Sequence, residues 1–260
     1  MTQEGIPLCV IIFIYKWEEI MEYYIRKMPG KQYLERLAKN PTVIIPTGAC
    51  EVYGPHLPMG TDLLAAQKIA ERIAEHTGAL IAPTVEMGES SALGAFPCTF
   101  EMPRKILEDY LEALVSMLIE DGARNFIFIT GHAGNVDTVS YIIKKHLKQG
   151  IKAFQIDWWR FTAANSGDIL QYSGPMAHGH ASECGTSVMM YLYPELVDHS
   201  EITCTPANSN SYPDVLQYAS FDKKAPNGML GDANVATPEK GEAIVNTCVK
   251  RILNYLETAF

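Results

Sequence analysis

Residues 43–73, VIIPTGACEVYGPHLPMGTDLLAAQKIAERI, read as a strand, a rigid loop and a helix in that order. The apolar run at 43–45 begins a strand expected over 43–48, and Gly54, Pro55 and Pro58 stiffen the turn after it. Thr61 is placed to cap a helix whose first residue is Asp62. Leu63, Ala66, Ile69, Ala70 and Ile73 then recur at helical spacing, which predicts a helix over 62–77. Two carboxylates, Glu51 and Asp62, thereby fall at one edge of a sheet. In an open α/β sheet that edge, the carboxyl ends of the strands, is where ligand chemistry gathers.

Working outward, the alternation continues. Further strands are expected at 79–85, 125–130 and 152–157, and further helices at 103–121, 135–148, 181–193 and 239–257, with Pro103 opening the first of these at its first turn. The order is that of a mostly parallel central sheet covered on both faces, a three-layer α/β/α architecture. With 260 residues and 47% hydrophobic content, the chain can bury one large core, so a single domain over 1–260 is expected. Between 195 and 238 the periodicity is lost, and TPANSNSYPD at 205–214 and APNGMLGD at 225–232 read as long ordered loops. The run LCVIIFI at 8–14 is too short to span a bilayer and lacks the flanks of a signal peptide. It reads as an edge strand or an extension packed on the body.

Two downstream segments offer ligands to accompany the acids. In FIFITGHAGN, 126–135, His132 leaves the end of an apolar strand, and Ala133 and Gly134 permit close backbone approach. In HGHASECGTS, 178–187, His180 and Glu183 stand three apart and, if helical, project from one face of a turn. Alone, His132 reads as a core histidine satisfying a carbonyl, and the acids as ordinary residues at element ends. Together, carboxylate oxygen and imidazole nitrogen form a ligand set for Zn, Mn or Fe, and an incompletely filled shell leaves a place for reactive water. Trp158 and Trp159 follow the fourth strand and either wall a pocket or pack as core, and His178 reads as incidental.

At these residues the chain resembles the creatininase family of metal-dependent amidohydrolases, whose pattern runs G-[SA]-x-E-x-H-G-x-H-x-P, then T/V-D, N-G-H-x-x-N and H-A-G-E-x-E-T-S. The resemblance spans most of the chain and includes His56, FPCT at 96–99 and GDANVATPEKGE at 231–242. It implies a metal-ligand role for Glu51, Asp62 and His132, with Asp62 bridging two ions. It implies an active-site role for His180 and Glu183, and Glu183 is also expected among the ligands. Tyr53 stands where the family carries a histidine ligand of a second metal, so one firm ion, or two with one weakly held, are both open. Tyr53, His56, Trp158 and Trp159 are candidates for that second position or for the substrate. Gly185 replaces the second acid of the H-A-G-E-x-E pattern. Creatininase itself carries an acid where this chain has Gly134, and Glu183 is expected to replace it in space. These departures point away from creatinine and toward another branch of the family.

A formal charge of −9 disfavours nucleic acid and anionic membrane as partners, because either calls for a basic face. Six cysteines without C-x-x-C spacing read as reduced thiols, which points to the cytoplasm. No G-x-G-x-x-G, phosphate-loop or serine-hydrolase signature is present. The leading expectation is hydrolysis of a cyclic amide or formamide of a small molecule by metal-activated water. Ring opening of a diketo-inositol is the runner-up, and a non-catalytic metal- or metabolite-binding protein the reading from another class. The resemblance also implies a homo-oligomer.

Overall fold

The computed structural model describes residues 21–207 and 219–259. The run at 8–14 and most of the 205–214 loop lie outside these. In chain order the elements are α1 (Gly30–Lys39), β1 (Thr42–Thr47), α2 (Thr61–Thr77), β2 (Leu80–Ile81), α3 (Arg104–Asp121), β3 (Asn125–Thr130), α4 (Val136–His146), β4 (Lys152–Asp157), α5 (Trp158–Asn165), α6 (Pro175–His178), α7 (Glu183–Leu192), β5 (Cys204–Thr205), β6 (Gly231–Asp232) and α8 (Pro238–Ala259). Strands β1 to β4 form a parallel sheet in the order β2-β1-β3-β4, while β5 and β6 pair antiparallel apart from it.

Alternation along the strands builds the three layers. Val43 and Ile45 of β1, with Phe126 and Phe128 of β3, bury against Leu37 of α1, Leu107 and Leu111 of α3 and Val139 of α4. Their neighbours Ile44, Ile127 and Ile129 bury on the opposite face against Ile69 and Ile73 of α2, Val188 of α7 and Ile244 of α8. Each sheet face is therefore covered by its own layer of helices, as the sequence pattern predicts. The ladder pairs Thr47 with Thr130 and Thr130 with Asp157, so the carboxyl ends of β1, β3 and β4 finish level. The loops that follow them meet at one rim.

The strand expected over 79–85 ends at Ile81. Pro83 lacks the N–H a ladder needs, and beyond it Val85 makes only an isolated parallel bridge with Thr47. Thr61 does not cap α2 with its side chain: its hydroxyl donates to the Pro58 carbonyl at 2.7 Å, and Gly60 is the N-cap residue. The helix α5 was not legible as a separate element. It starts directly from β4, with the Asp157 carboxylate accepting from the Arg160 N–H at its first turn.

Candidate metal centre

Glu51 lies four residues beyond β1, Asp62 in the first turn of α2, and His132 two residues beyond β3. Gly131 makes this convergence possible, since a Cβ there would sit 2.1 Å from the Asp62 carbonyl oxygen. One ligand-capable atom from each of Glu51, Asp62 and His132 lies within 4.8 Å of the other two, and all three side chains are buried. His132 Nδ1 is 3.0 Å from Asp62 Oδ2 and 3.3 Å from Glu51 Oε1. Its Nε2–H donates to the Glu89 carbonyl at 2.8 Å. That bond fixes the ring so that Nδ1 faces the two carboxylates, which is the way proteins orient a metal-ligating imidazole.

The polypeptide around His132 is built to hold this arrangement. Asn135 accepts from the Glu89 N–H at 3.0 Å and donates to the Gly48 carbonyl at 2.9 Å, tying the loops after β1 and β3 together. Gly134 is required there because a Cβ would fall 2.0 Å from the Glu89 carbonyl oxygen. The indole N–H of Trp159 donates to Asp62 Oδ1 at 2.7 Å.

The electrostatics call for positive charge at the same point. Burial alone would lower the His132 pKa, but the adjoining Asp62 and Glu51 carboxylates override it and hold the imidazole well above its ordinary value. Glu51 is 1% exposed, and neither of its carboxylate oxygens has a hydrogen-bond partner among the described residues. A buried carboxylate so placed is strongly disfavoured without a cation beside it. Three oxygen and nitrogen donors converging on one point, with an orphaned carboxylate among them, fit a divalent metal ion.

Tyr53 and His180 adjoin this cluster. Burial, reinforced by the Asp62 and Glu51 charges, pushes the Tyr53 hydroxyl well above the usual tyrosine range. Its ring lies 4.0 Å, centroid to centroid, from that of His180, whose Nε2–H donates to the Val52 carbonyl at 2.8 Å. Tyr53, Trp159, His178, His180, Cys184 and Gly185 line a cavity of 170 Å³ together with Ala133 and Gly179. Trp158 is fully buried in the sheet core instead. His56 is buried, its Nε2 2.8 Å from the Thr186 hydroxyl.

The structure does not bring Glu183 to the Glu51, Asp62 and His132 cluster. Its carboxylate accepts from the Gln171 and Tyr172 N–H groups at 2.7 and 3.1 Å and from Lys240 Nζ at 2.6 Å. Nor do His180 and Glu183 share a helical turn. Ala181 takes a left-handed backbone, φ 58°, and α7 begins only at Glu183, so the two side chains diverge. Glu183 therefore does not stand in for an acid at position 134. Sequence reasoning missed Lys240, although it falls inside the matched segment GDANVATPEKGE, and Asn135, the last residue of the quoted FIFITGHAGN. The Glu89 contribution is a backbone carbonyl and leaves no mark in a side-chain pattern.

Comparison with known proteins agrees with this geometry. The sequence model of the family described as Creatininase, creatinine amidohydrolase, matches residues 26–256. The chain is 28% identical to a creatinine amidohydrolase of Pseudomonas putida over 257 residues, covering 91% of this chain and 97% of that protein. It is 29% identical to a mycofactocin precursor peptide peptidase of Mycolicibacterium smegmatis, covering 82% and 84%, and 26% identical to a 3-dehydro-scyllo-inosose hydrolase of Thermotoga maritima, covering 90% and 81%. Among solved structures, a manganese creatininase superposes with a TM-score of 0.79 at 26% identity, covering 92% of this chain and 99% of that one. A creatininase variant of Zn–Zn type gives the same values. With most of its length matched by the family's sequence model, the chain belongs to the creatininase family.

Proposed function

We propose that the protein hydrolyses a C–N amide bond, in a cyclic amide or a formamide of a small molecule, at a centre where Glu51, Asp62 and His132 hold one divalent cation, Zn, Mn or Fe. The observation that carries this reading is Glu51, a buried carboxylate that stands beside Asp62 and His132 and whose two oxygens have no hydrogen-bond partner among the described residues. A single ion is favoured because Trp159 already engages Asp62 Oδ1, leaving Oδ2 to face the cluster. Glu183 is not among the ligands we assign, since three donors already satisfy it.

A divalent cation held there supplies a lowered water pKa and polarises a carbonyl. The protein's own residues supply the rest. Glu51 and Asp62 provide the negative charge that retains the ion, the Glu89 carbonyl orients His132, and Trp159 orients Asp62. His180 borders the cavity beside the cluster, and imidazole suits the transfer of a proton to the departing nitrogen near neutral pH. The net reaction consumes one water, breaks the C–N bond and yields a carboxylic acid and an amine. Ring opening of a diketo-inositol is the second reading, favoured by the resemblance to the Thermotoga maritima hydrolase over 271 residues.

We assign the activity to one catalytic domain spanning the chain, in a cytoplasmic homo-oligomer. The five described cysteines are all free, as a reducing compartment requires, and no helix among the described residues is long and apolar enough to cross a membrane. Sizing chromatography checks the oligomer.

The test removes metal with a chelator, restores Mn or Zn, and assays a panel of cyclic amides, formamides and oxidised inositols. Amide turnover that disappears with the metal and returns with it is expected. An undiminished rate in metal-free protein would refute the proposal, and ring opening of the inositols with no amide turnover would transfer it to the second reading.

A further inference from the structure

Gly185 occupies an unusual place for a glycine. It lies inside α7, where the backbone is helical and glycine is less stable than alanine. Several other glycines have a steric reason to lack a side chain: a Cβ at Gly131, Gly134 or Gly241 would fall 2.1, 2.0 or 1.9 Å from a backbone oxygen. A Cβ at Gly185 would meet only Tyr53 Cε1 at 3.8 Å and Trp159 Cη2 at 4.0 Å, ordinary contact distances. Gly30 and Gly167 are also unobstructed, but both are exposed, and Gly60, with contacts at 3.8 Å, is only partly buried. Gly185 is buried, and the space it leaves belongs to the 170 Å³ cavity. Neither backbone conformation nor packing asks for glycine here, so the empty volume itself is the feature to explain.

The cavity suits one kind of occupant. An apolar cavity of about 150 Å³ in another protein holds a benzene molecule, so this one has room for a single ring or branched alkyl group. Its wall is made of the Tyr53 and Trp159 rings, two imidazoles, the Cys184 thiol and glycine or alanine, and among the described residues no carboxylate, ammonium or guanidinium group lines it. The Trp159 indole also donates to Asp62, and the Tyr53 ring packs beside it at 6.4 Å between centroids, so the two rings adjoin the metal-ligand cluster. A substrate reacting at the cluster can lodge a neighbouring group beyond them.

We propose that Gly185 is a specificity-determining residue whose missing side chain leaves room for an uncharged, apolar substituent of the substrate. The inference rests on the hydrolase reading above and narrows its substrate class. The experiment compares wild-type protein, Gly185→Ala and Gly185→Leu, each loaded with Mn, using hydantoin and 5-isopropylhydantoin as probes. Kd by calorimetry is the primary measurement, with metal content, Tm and turnover on the same samples. Gly185→Ala is expected to raise Tm by about 2–4 °C, to keep its metal, and to bind hydantoin within about twofold of wild type while losing at least tenfold for the isopropyl compound. Gly185→Leu should lose more, and because Gly185→Ala preserves the fold, misfolding of the leucine variant leaves the proposal decidable. Wild type that fails to bind 5-isopropylhydantoin more tightly than hydantoin overturns it, as does an unchanged ratio of the two Kd values in Gly185→Ala, or a fall in its Tm. Metal content separates this from the underlying reading: loss of metal-dependent turnover with an altered Kd ratio sinks only the reaction, whereas metal-dependent turnover with an unaltered ratio sinks only the role of Gly185.

Discussion

Glu51 and Glu183 are both buried glutamates, 1% and 0% exposed, and the sequence offers both as ligands of one ion. Their surroundings are opposite. Glu183 receives two backbone N–H groups and the Lys240 ammonium, a complete set of donors of the kind that fixes a carboxylate as part of the framework. Among the described residues, Glu51 has no well-formed hydrogen bond and meets the His132 ring at 3.3 Å beside the neighbouring Asp62. A satisfied buried charge holds a fold together, and an unsatisfied one marks where a cation belongs. Burial and residue type are shared; donor count tells the two roles apart.

The widest separation between the two should come from Glu51→Gln. Removing one of the three ligands proposed above and one negative charge should weaken divalent metal binding by at least about a thousandfold, since losing even an orienting partner of a ligand costs ten- to a hundredfold. Glu183→Gln should leave the metal content intact. Atomic absorption on both dialysed variants checks this, and equal metal loss in the two would erase the distinction. Lys240→Met approaches the pair from the other side. It leaves the Glu183 charge buried with only backbone donors, and breaking such a pair is expected to cost about 3 kcal/mol of unfolding free energy. Urea unfolding reads this loss, while metal stoichiometry should not move.

The sheet was legible because its strands alternate between two buried faces: Val43 and Ile45 against one helical layer, Ile44 against the other. β1, β3 and β4 follow the expected ranges to within a residue, as do the bounds of α2 and α3. The same pattern could not reveal α5, whose eight residues start without a loop from β4, or the early end of β2, which a single proline decides. The convergence of Glu51, Asp62 and His132 was legible because each follows a strand or opens a helix, and level strand ends bring such positions together. Glu183 misled because a spacing of three implies a shared face only within a helix, and the left-handed Ala181 turns the chain before α7 begins. Lys240 lies 57 residues from Glu183 in sequence, and only the fold shows that they meet.

His56 joins the two regions, and its titration gives the smallest of these effects. It belongs to the loop between Glu51 and Asp62, yet its Nε2 bonds the Thr186 hydroxyl of α7, and its carbonyl accepts from the Asp198 N–H at 2.9 Å. Burial lowers the His56 pKa from 6.5 to about 4, so the folded protein keeps the ring neutral while the unfolded chain takes up a proton as pH falls below about 6.5. Between those values the unfolded state binds more protons, and stability must decline as the solution is acidified. With the two pKa values given, His56 alone should remove about 1.5 kcal/mol between pH 6.5 and 5. His56→Gln retains a hydrogen-bonding group but does not titrate, so its unfolding free energy, measured in chelator to remove metal linkage, should fall less steeply over that window. Parallel pH slopes for the two proteins would mean that the seam between the cluster loop and α7 does not depend on a neutral imidazole. The difference between Glu51 and Glu183 would then be the whole of the electrostatic contrast between the two regions.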